Sequence, residues 1–462
     1  MQPTVKIAFD LSLAGGGDFF TLDDPVKGQL DYSPYGLAED VSDVTSDVRS
    51  MTFRRGRSSE TQNIDAGNAN VVLDNRLRKY DPLVSASISP YAPSIIPRKA
   101  LYIELLGQRI FSGQIEDWDL QYNPDGDSVT IAKTSDPFTL LSQQVYASGV
   151  GASGLTGQAI LESASTAGWS VARLDLDVGT ASIGANTIAQ DQNVLSYLQT
   201  ISGSETGLLF IGKDGALTFR DRTSALLRTS TVFSDDGTGI PFTSIEIEYG
   251  TEFLYTRVEV EWTGGKVVAD DPDASLIYGE TNLSVKTLLG TEPDAEDFAA
   301  FLVERYRNPT VRIRGLQAEM NALTLAQQNA IVDLDIGSVM FVRFTPNRIG
   351  DPIFRELVVD GIEHSITPGG HAVKLNLFEP FLRRFSGSVS GSSGTAGFVT
   401  GEEGNVGTIV GLSGTAGSVT GAEGNVGTII GSSDSSGTVV GVKSSLFTLD
   451  TSELDSTDTL GA

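Results

Sequence analysis

The sequence predicts a β-rich α+β protein: two barrel-like β domains with a small α/β insertion, followed by a Gly-rich β segment on a ten-residue repeat. Three observations carry that expectation. Short runs of alternating apolar and polar residues fill 1–148 and return over 226–385. Between 149 and 225 the apolar period becomes that of helices. Beyond 385 a Gly-x-(Val/Ile)-x-Gly beat recurs every ten residues. At 462 residues the chain exceeds what one hydrophobic core usually serves, so several domains are expected.

The first region opens with an alternating run, Val5-Lys6-Ile7-Ala8-Phe9, and Ala69-Asn70-Val71-Val72-Leu73 repeats the pattern. Leu101 to Leu105 and Gln108 to Gly113 read as further strands. Trp118 to Tyr122 and Ser128 to Ile131 flank Asn123-Pro124-Asp125-Gly126-Asp127, and its Asp-Gly pair suits the positive-φ positions of a hairpin turn. In the insertion, Thr156 is expected to cap a helix burying Ala159, Ile160, Ala164 and Ala167. Asp191 is expected to cap another that buries Val194, Leu195, Leu198 and Ile201. Leu208 to Ile211, a Lys213-Asp214-Gly215 turn and Ala216 to Arg220 form a hairpin. In 226–385 strands return at Ser244 to Glu248 and Tyr255 to Trp262. Helices are expected near 294–307 and 322–332, ahead of a strand in Ile336 to Val342.

After Phe385 the chain is a repeat, with 391–410 and 411–430 identical at sixteen of twenty positions. The beat centres on Val389, Val399, Ile409, Val419, Ile429 and Val439, the expected core of a stalk over 386–445. Each such residue contributes roughly 1.5–3 kcal/mol when fully buried. Ordering ten backbone residues costs roughly 10–20 kcal/mol, so one chain alone does not stabilise the segment. Three parallel chains sharing interchain hydrogen bonds are one solution; a Gly/Ser tether is the other. Leu446-Phe447-Thr448-Leu449-Asp450 opens a C-terminal docking peptide over 446–462.

Composition excludes several classes. With 59 acidic against 32 basic residues, the formal net charge is −27, which repels nucleic acid phosphate; DNA is expected only in transit along an acidic wall. There is no cysteine, hence no disulfide and no thiolate metal site. Met1 to Lys6 carries no apolar leader core, and no run approaches the roughly 18 apolar residues of a membrane helix. Membrane insertion is not expected.

Catalytic and metal constellations are missing. The two histidines, His364 and His371, form no His-Glu-x-x-His motif, and a structural role is expected for His364 in its strand-like run. There is no Gly-x-Ser-x-Gly elbow, and Gly264-Gly265-Lys266-Val267 lacks the features of a phosphate loop. The turns Ser234-Asp235-Asp236-Gly237 and Asp270-Asp271-Pro272-Asp273 lack calcium-loop spacing and read as solvated turns. No enzyme activity, cofactor or metal is expected. One charge pattern stands out: Arg49, Arg54, Arg55, Arg57, Arg76, Arg78 and Lys79 place seven of 32 bases within 31 residues. The bland reading is a solvated face. The sharper one is a partner-binding patch of Arg54, Arg55, Arg57, Arg76, Arg78 and Lys79 for an acidic partner.

That stretch also carries a resemblance. Arg54-Arg55-Gly56-Arg57, then Ala66-Gly67, Leu73-Asp74-Asn75-Arg76 and Tyr80-Asp81-Pro82, resembles a block of minor tail proteins in long-tailed siphophages. Gln192 to Gly207 with the Gly212-Lys213-Asp214-Gly215 hairpin, Asp335-Ile336-Gly337-Ser338-Val339 and Gly361-Ile362-Glu363-His364 through Gly369 are similar to the baseplate or tail-tip hub family at matching places. The resemblance spans about 40–385. It implies a virion structural protein: a homotrimeric hub meeting the distal tail ring and the tape-measure protein, and tip or fibre proteins beyond, with roles in host attachment and genome ejection. With no apolar leader core, assembly is expected in the host cytoplasm. No lysin domain follows residue 385, so wall digestion by this chain is not expected, and the Gly-rich repeat lies outside the hub pattern. The alternatives are the distal tail ring protein itself and a cell-wall glycosidase or carbohydrate-binding tail protein.

Overall fold

The computed structural model describes residues 3–9, 41–224 and 231–380, and the backbone of the strands between 385 and 450. The chain divides into two compact units, one of 1–221, 231–354 and 358–378, the other of 222–230, 355–357 and 379–462.

The first unit is organised by a sheet of thirteen strands. In chain order they are β1 (Thr4–Ala8), β2 (Val41–Asp43), β3 (Val48–Gly56), β4 (Asn68–Asp74), β5 (Ala100–Leu105), β6 (Gln108–Gln121), β7 (Val129–Ser135), β8 (Thr231–Ser234), β9 (Ser244–Tyr249), β10 (Val311–Glu319), β11 (Val339–Phe344), β12 (Ile353–Thr367) and β13 (Gly370–Phe378). The bonded order is β9-β10-β13-β12-β3-β4-β7-β6-β5-β1-β2, with β11 joined to both β12 and β8. Strands from both expected β regions thus share one sheet in place of two separate barrels. They meet where β3 runs antiparallel to β12, from Met51 opposite Ile366 to Gly56 opposite Gly361.

The alternation behind these strands is plain in β4 and β5, whose inward Val71, Leu73, Leu101, Ile103 and Leu105 are buried. The turn between β6 and β7 uses Gly126 at φ +88°, the conformation its Asp-Gly pair favours. At the β3–β12 junction Gly56 has φ +88°, and a Cβ there would lie 2.2 Å from the Asp360 carbonyl oxygen. Only glycine fits that crossing.

The insertion has helices Thr156–Thr166 and Val194–Gly203 beside a three-stranded sheet of Leu174–Leu176, Leu217–Arg220 and Leu208–Ile211. Both caps differ from expectation. Leu155 is the first cap; Thr156 is already helical and its hydroxyl donates to the Ala181 carbonyl at 3.1 Å. Asn193, not Asp191, caps the second helix by accepting from the Ser196 N–H at 2.9 Å.

A further α/β layer lies within the second region. Strands Arg257–Trp262, Gly265–Asp270 and Asn282–Lys286 carry helix Glu292–Tyr306. Thr291 caps that helix and Pro293 stands in its first turn. Ala295, Phe298, Ala299, Leu302, Val303 and Tyr306 then follow helical spacing and pack on Val258, Val260 and Val267. Helix Leu325–Asp333 begins with a capping box of Thr324 and Gln327.

In the second unit, strands Phe385–Gly391, Asn405–Gly411, Asn425–Gly431 and Ser445–Asp450 form one parallel sheet; Ala396–Thr400, Ala416–Thr420 and Ser436–Val440 form another. Each strand pairs in register with the one twenty residues on: Val389 with Ile409, Ile409 with Ile429, Val399 with Val419 and Val419 with Val439. The ten-residue beat is therefore half a turn of a twenty-residue coil, and the backbone bonds described run within one chain. Leu446 to Asp450 continue the first ladder, and 451–462 lie outside the described residues.

Candidate functional site

Alternation decides the fate of the Arg54-Arg55 pair. Successive side chains in β3 point to opposite faces, so Met51, Phe53 and Arg55 go inward while Thr52 and Arg54 go to solvent. Arg55 is 5% exposed and meets Asp335 at 2.8 Å; it also donates to the Ile211 carbonyl at 3.2 Å. Gly56 then turns the chain, and Arg57 becomes the inner partner of Asp360 at 2.8 Å while donating to the Gln62 carbonyl at 2.7 Å. Glu60, 3% exposed, accepts from Arg305 and Arg312, each at 2.8 Å.

The motifs that carried the resemblance thus converge. Arg55 and Arg57 from the first motif reach Asp335 and Asp360, within or beside two of the later ones. The hairpin motif joins them: Lys213 Nζ donates to the Val332 carbonyl at 3.0 Å, and its carbonyl accepts from Ser112 Oγ at 2.9 Å. Around this joint a recess is lined by Phe53, Arg55, Ile110, Lys213, Leu334, Ile362 and His364. Nearby, Asp136 accepts the Gly67 and Phe138 N–H groups at 2.6 and 2.9 Å, and burial pushes its carboxyl up to about 7.

The six predicted contact residues do not form one surface patch. Arg55 and Arg57 are internal, because each charge leaves water only with a carboxylate beside it. The others lie outside, most of them paired. Arg76 grips Asp74 and holds its carboxyl down to about 2. Arg78 bonds Asp81 at 2.6 Å, and Lys79 bonds Asp47 at 3.0 Å. Arg54 is exposed and, among the described residues, has no ion-pair partner.

The remaining candidates also settle. His364 and His371 are both buried and bonded to each other at 3.0 Å. Asp271 caps helix Pro272–Tyr278, and Asp236 folds its own turn by accepting from Thr238. Among the described residues no group of three or more His, Cys, Asp or Glu side chains is placed to hold a metal ion, and no helix is long and apolar enough to cross a membrane. Glu60, Asp335, Asp360, Arg305 and Arg312 escaped the sequence reading. For Asp335 a signal existed, its place in a quoted motif, and Asp360 directly precedes another.

No family model matches the sequence, and a search of curated proteins gives no match. Solved structures do. The tail protein from Neisseria meningitidis MC58 is similar with a TM-score of 0.53 at 14% identity, over 74% of this chain and 94% of that one. The 43 kDa tail protein of prophage MuSo2 from Shewanella oneidensis is similar with a TM-score of 0.51 at 13% identity, over 82% of this chain and 98% of that one. The chain has the fold of phage tail proteins.

Proposed function

We propose that this chain is a structural protein of a phage tail tip: a homotrimeric hub between the distal tail ring and tape-measure protein on one side and tip or fibre proteins on the other. The observation that carries this reading is the shared fold, which takes in nearly the whole of two tail proteins. The joint agrees with it, since its buried charges are spent on holding distant strands together. A net charge of −27 suits a channel that releases DNA. The repeat unit would serve as a β-stalk. Copy number in intact tails tests the assignment: three copies per tail are expected, and six would make the chain a ring protein. A lytic band in zymograms on host wall would make it an enzyme.

The partner contact is narrowed to Arg54, Arg76, Arg78 and Lys79. Reversing Arg54 and Arg76 together (R54E, R76E) is expected to slow association with the ring at low salt and to flatten its salt dependence. Association at the unaltered rate would make these side chains a solvated face.

A further inference from the structure

A buried hydrogen bond between two histidines lies at the end of the β12–β13 hairpin. His364 sits three residues before its turn and His371 one residue after Gly370. In register Ile366 faces His371 and His364 faces Val373, so the two imidazoles are diagonal neighbours across the hairpin. Nδ1 of His364 lies 3.0 Å from Nε2 of His371. The His364 ring also stacks on Phe53 of β3, centroids 4.5 Å apart.

We infer that the His364–His371 pair is an acid-released clasp, holding the turn end of the β12–β13 hairpin shut at neutral pH and opening it on acidification. The bond needs one ring nitrogen to donate and the other to accept. With both rings protonated, two donors and two positive charges face each other at that distance. The neighbours worsen the clash. Arg55 of β3 adds positive charge toward His364, and Lys213 lines the same recess. The opposing carboxylate is Glu319 of β10, whose Oε1 already accepts the His371 backbone N–H at 2.7 Å. His371 Nδ1 has no hydrogen-bond partner among the described residues.

The linkage has a definite sign. Burial lowers His364, and it lowers His371 to about 4 from an ordinary 6.5. The open hairpin takes up protons that the closed one refuses, so closure is fully favoured above the ordinary value and lost as pH falls toward 4. Between pH 7 and pH 5 this amounts to roughly a twentyfold increase in opening from His371 alone.

Amide hydrogen exchange on the full chain tests this. Relative to pH 7, and after correction for intrinsic rates, amides of 362–367 and 370–373 should exchange roughly twentyfold faster at pH 5. Those of β4 and β7 should not change. Replacing both rings (His364→Phe with His371→Leu) should abolish the difference. Should that variant not fold, side-chain NMR of the unaltered protein decides: both imidazoles should titrate below the ordinary range. Equal protection at both pH values, or rings that titrate normally in a closed hairpin, would overturn the clasp.

Discussion

Replacing Glu60 with alanine is expected to lower the stability of the protein by about 3–5 kcal/mol, read as a reduced urea midpoint. The carboxylate is 3% exposed and stands between Arg305 and Arg312, each 12% exposed. Truncation leaves two guanidiniums in a site that water scarcely reaches. Arg312 keeps contact with the Phe253 and Tyr306 rings, centroids 4.9 and 5.7 Å away. Such contacts contribute only about 0.5–2 kcal/mol and do not offset the loss of the buried carboxylate between two guanidiniums. Glu252 offers the contrast: it bonds Arg314 at 3.1 Å from a half-exposed position, and Glu252→Ala should cost under about 1 kcal/mol. A triple replacement, Glu60→Leu with Arg305→Met and Arg312→Met, should recover most of the loss, since an apolar cluster needs no charge partner. A Glu60→Ala protein with an unaltered midpoint would show that solvent reaches the triad.

The triad links residues 245 and 252 positions apart, and that distance explains what the sequence could not show. Periodicity tells which face of a strand is buried; it says nothing of which strand lies alongside. The β6–β7 hairpin was legible because its turn chemistry is local. Helix Glu292–Tyr306 was legible because Phe298 and Leu302 follow one face. Pairing of β3 with β12 depends on partners some 300 residues apart, with no local signature. Two barrels were therefore expected where one sheet runs through both regions. The Asp191 cap failed for a different reason. Asp191 has φ +60°, in a turn two residues early, and Asn193 is the side chain that reaches an orphan N–H.

The arginine cluster is dense in sequence but not in space. A pleat of period two sends Arg54 and Arg55 to opposite faces, and the Gly56 turn sends Arg57 inward again. Alternation from Met51 carried two residues past Phe53 places Arg55 inside. A buried arginine implies a carboxylate, and the conspicuous motif Asp335-Ile336-Gly337-Ser338 offered one.

In the repeat, placing aspartate at both Ile409 and Ile429 is expected to abolish the protease resistance of residues 385–450 in the full chain. These positions are directly opposed on adjacent parallel strands. Strands lie about 4.8 Å apart, so two carboxylates there repel each other and remove two apolar rungs from a ladder of four: Val389, Ile409, Ile429 and Leu449. An apolar side chain contributes roughly 1.5–3 kcal/mol when fully buried, and the segment has little to spare against chain entropy. Val399→Asp with Val419→Asp, in the other sheet, should have the same effect, because neighbouring coils stabilise one another as in any solenoid. The twenty-residue register adds a second expectation. Bonds made within one chain survive dilution, so protection in the unaltered protein should not change over a hundredfold dilution, whereas a stalk held by bonds between three chains would lose it. Resistance that fades with dilution would return the ten-residue beat to an interchain role, and resistance that survives both aspartates would show that these rungs are not the core.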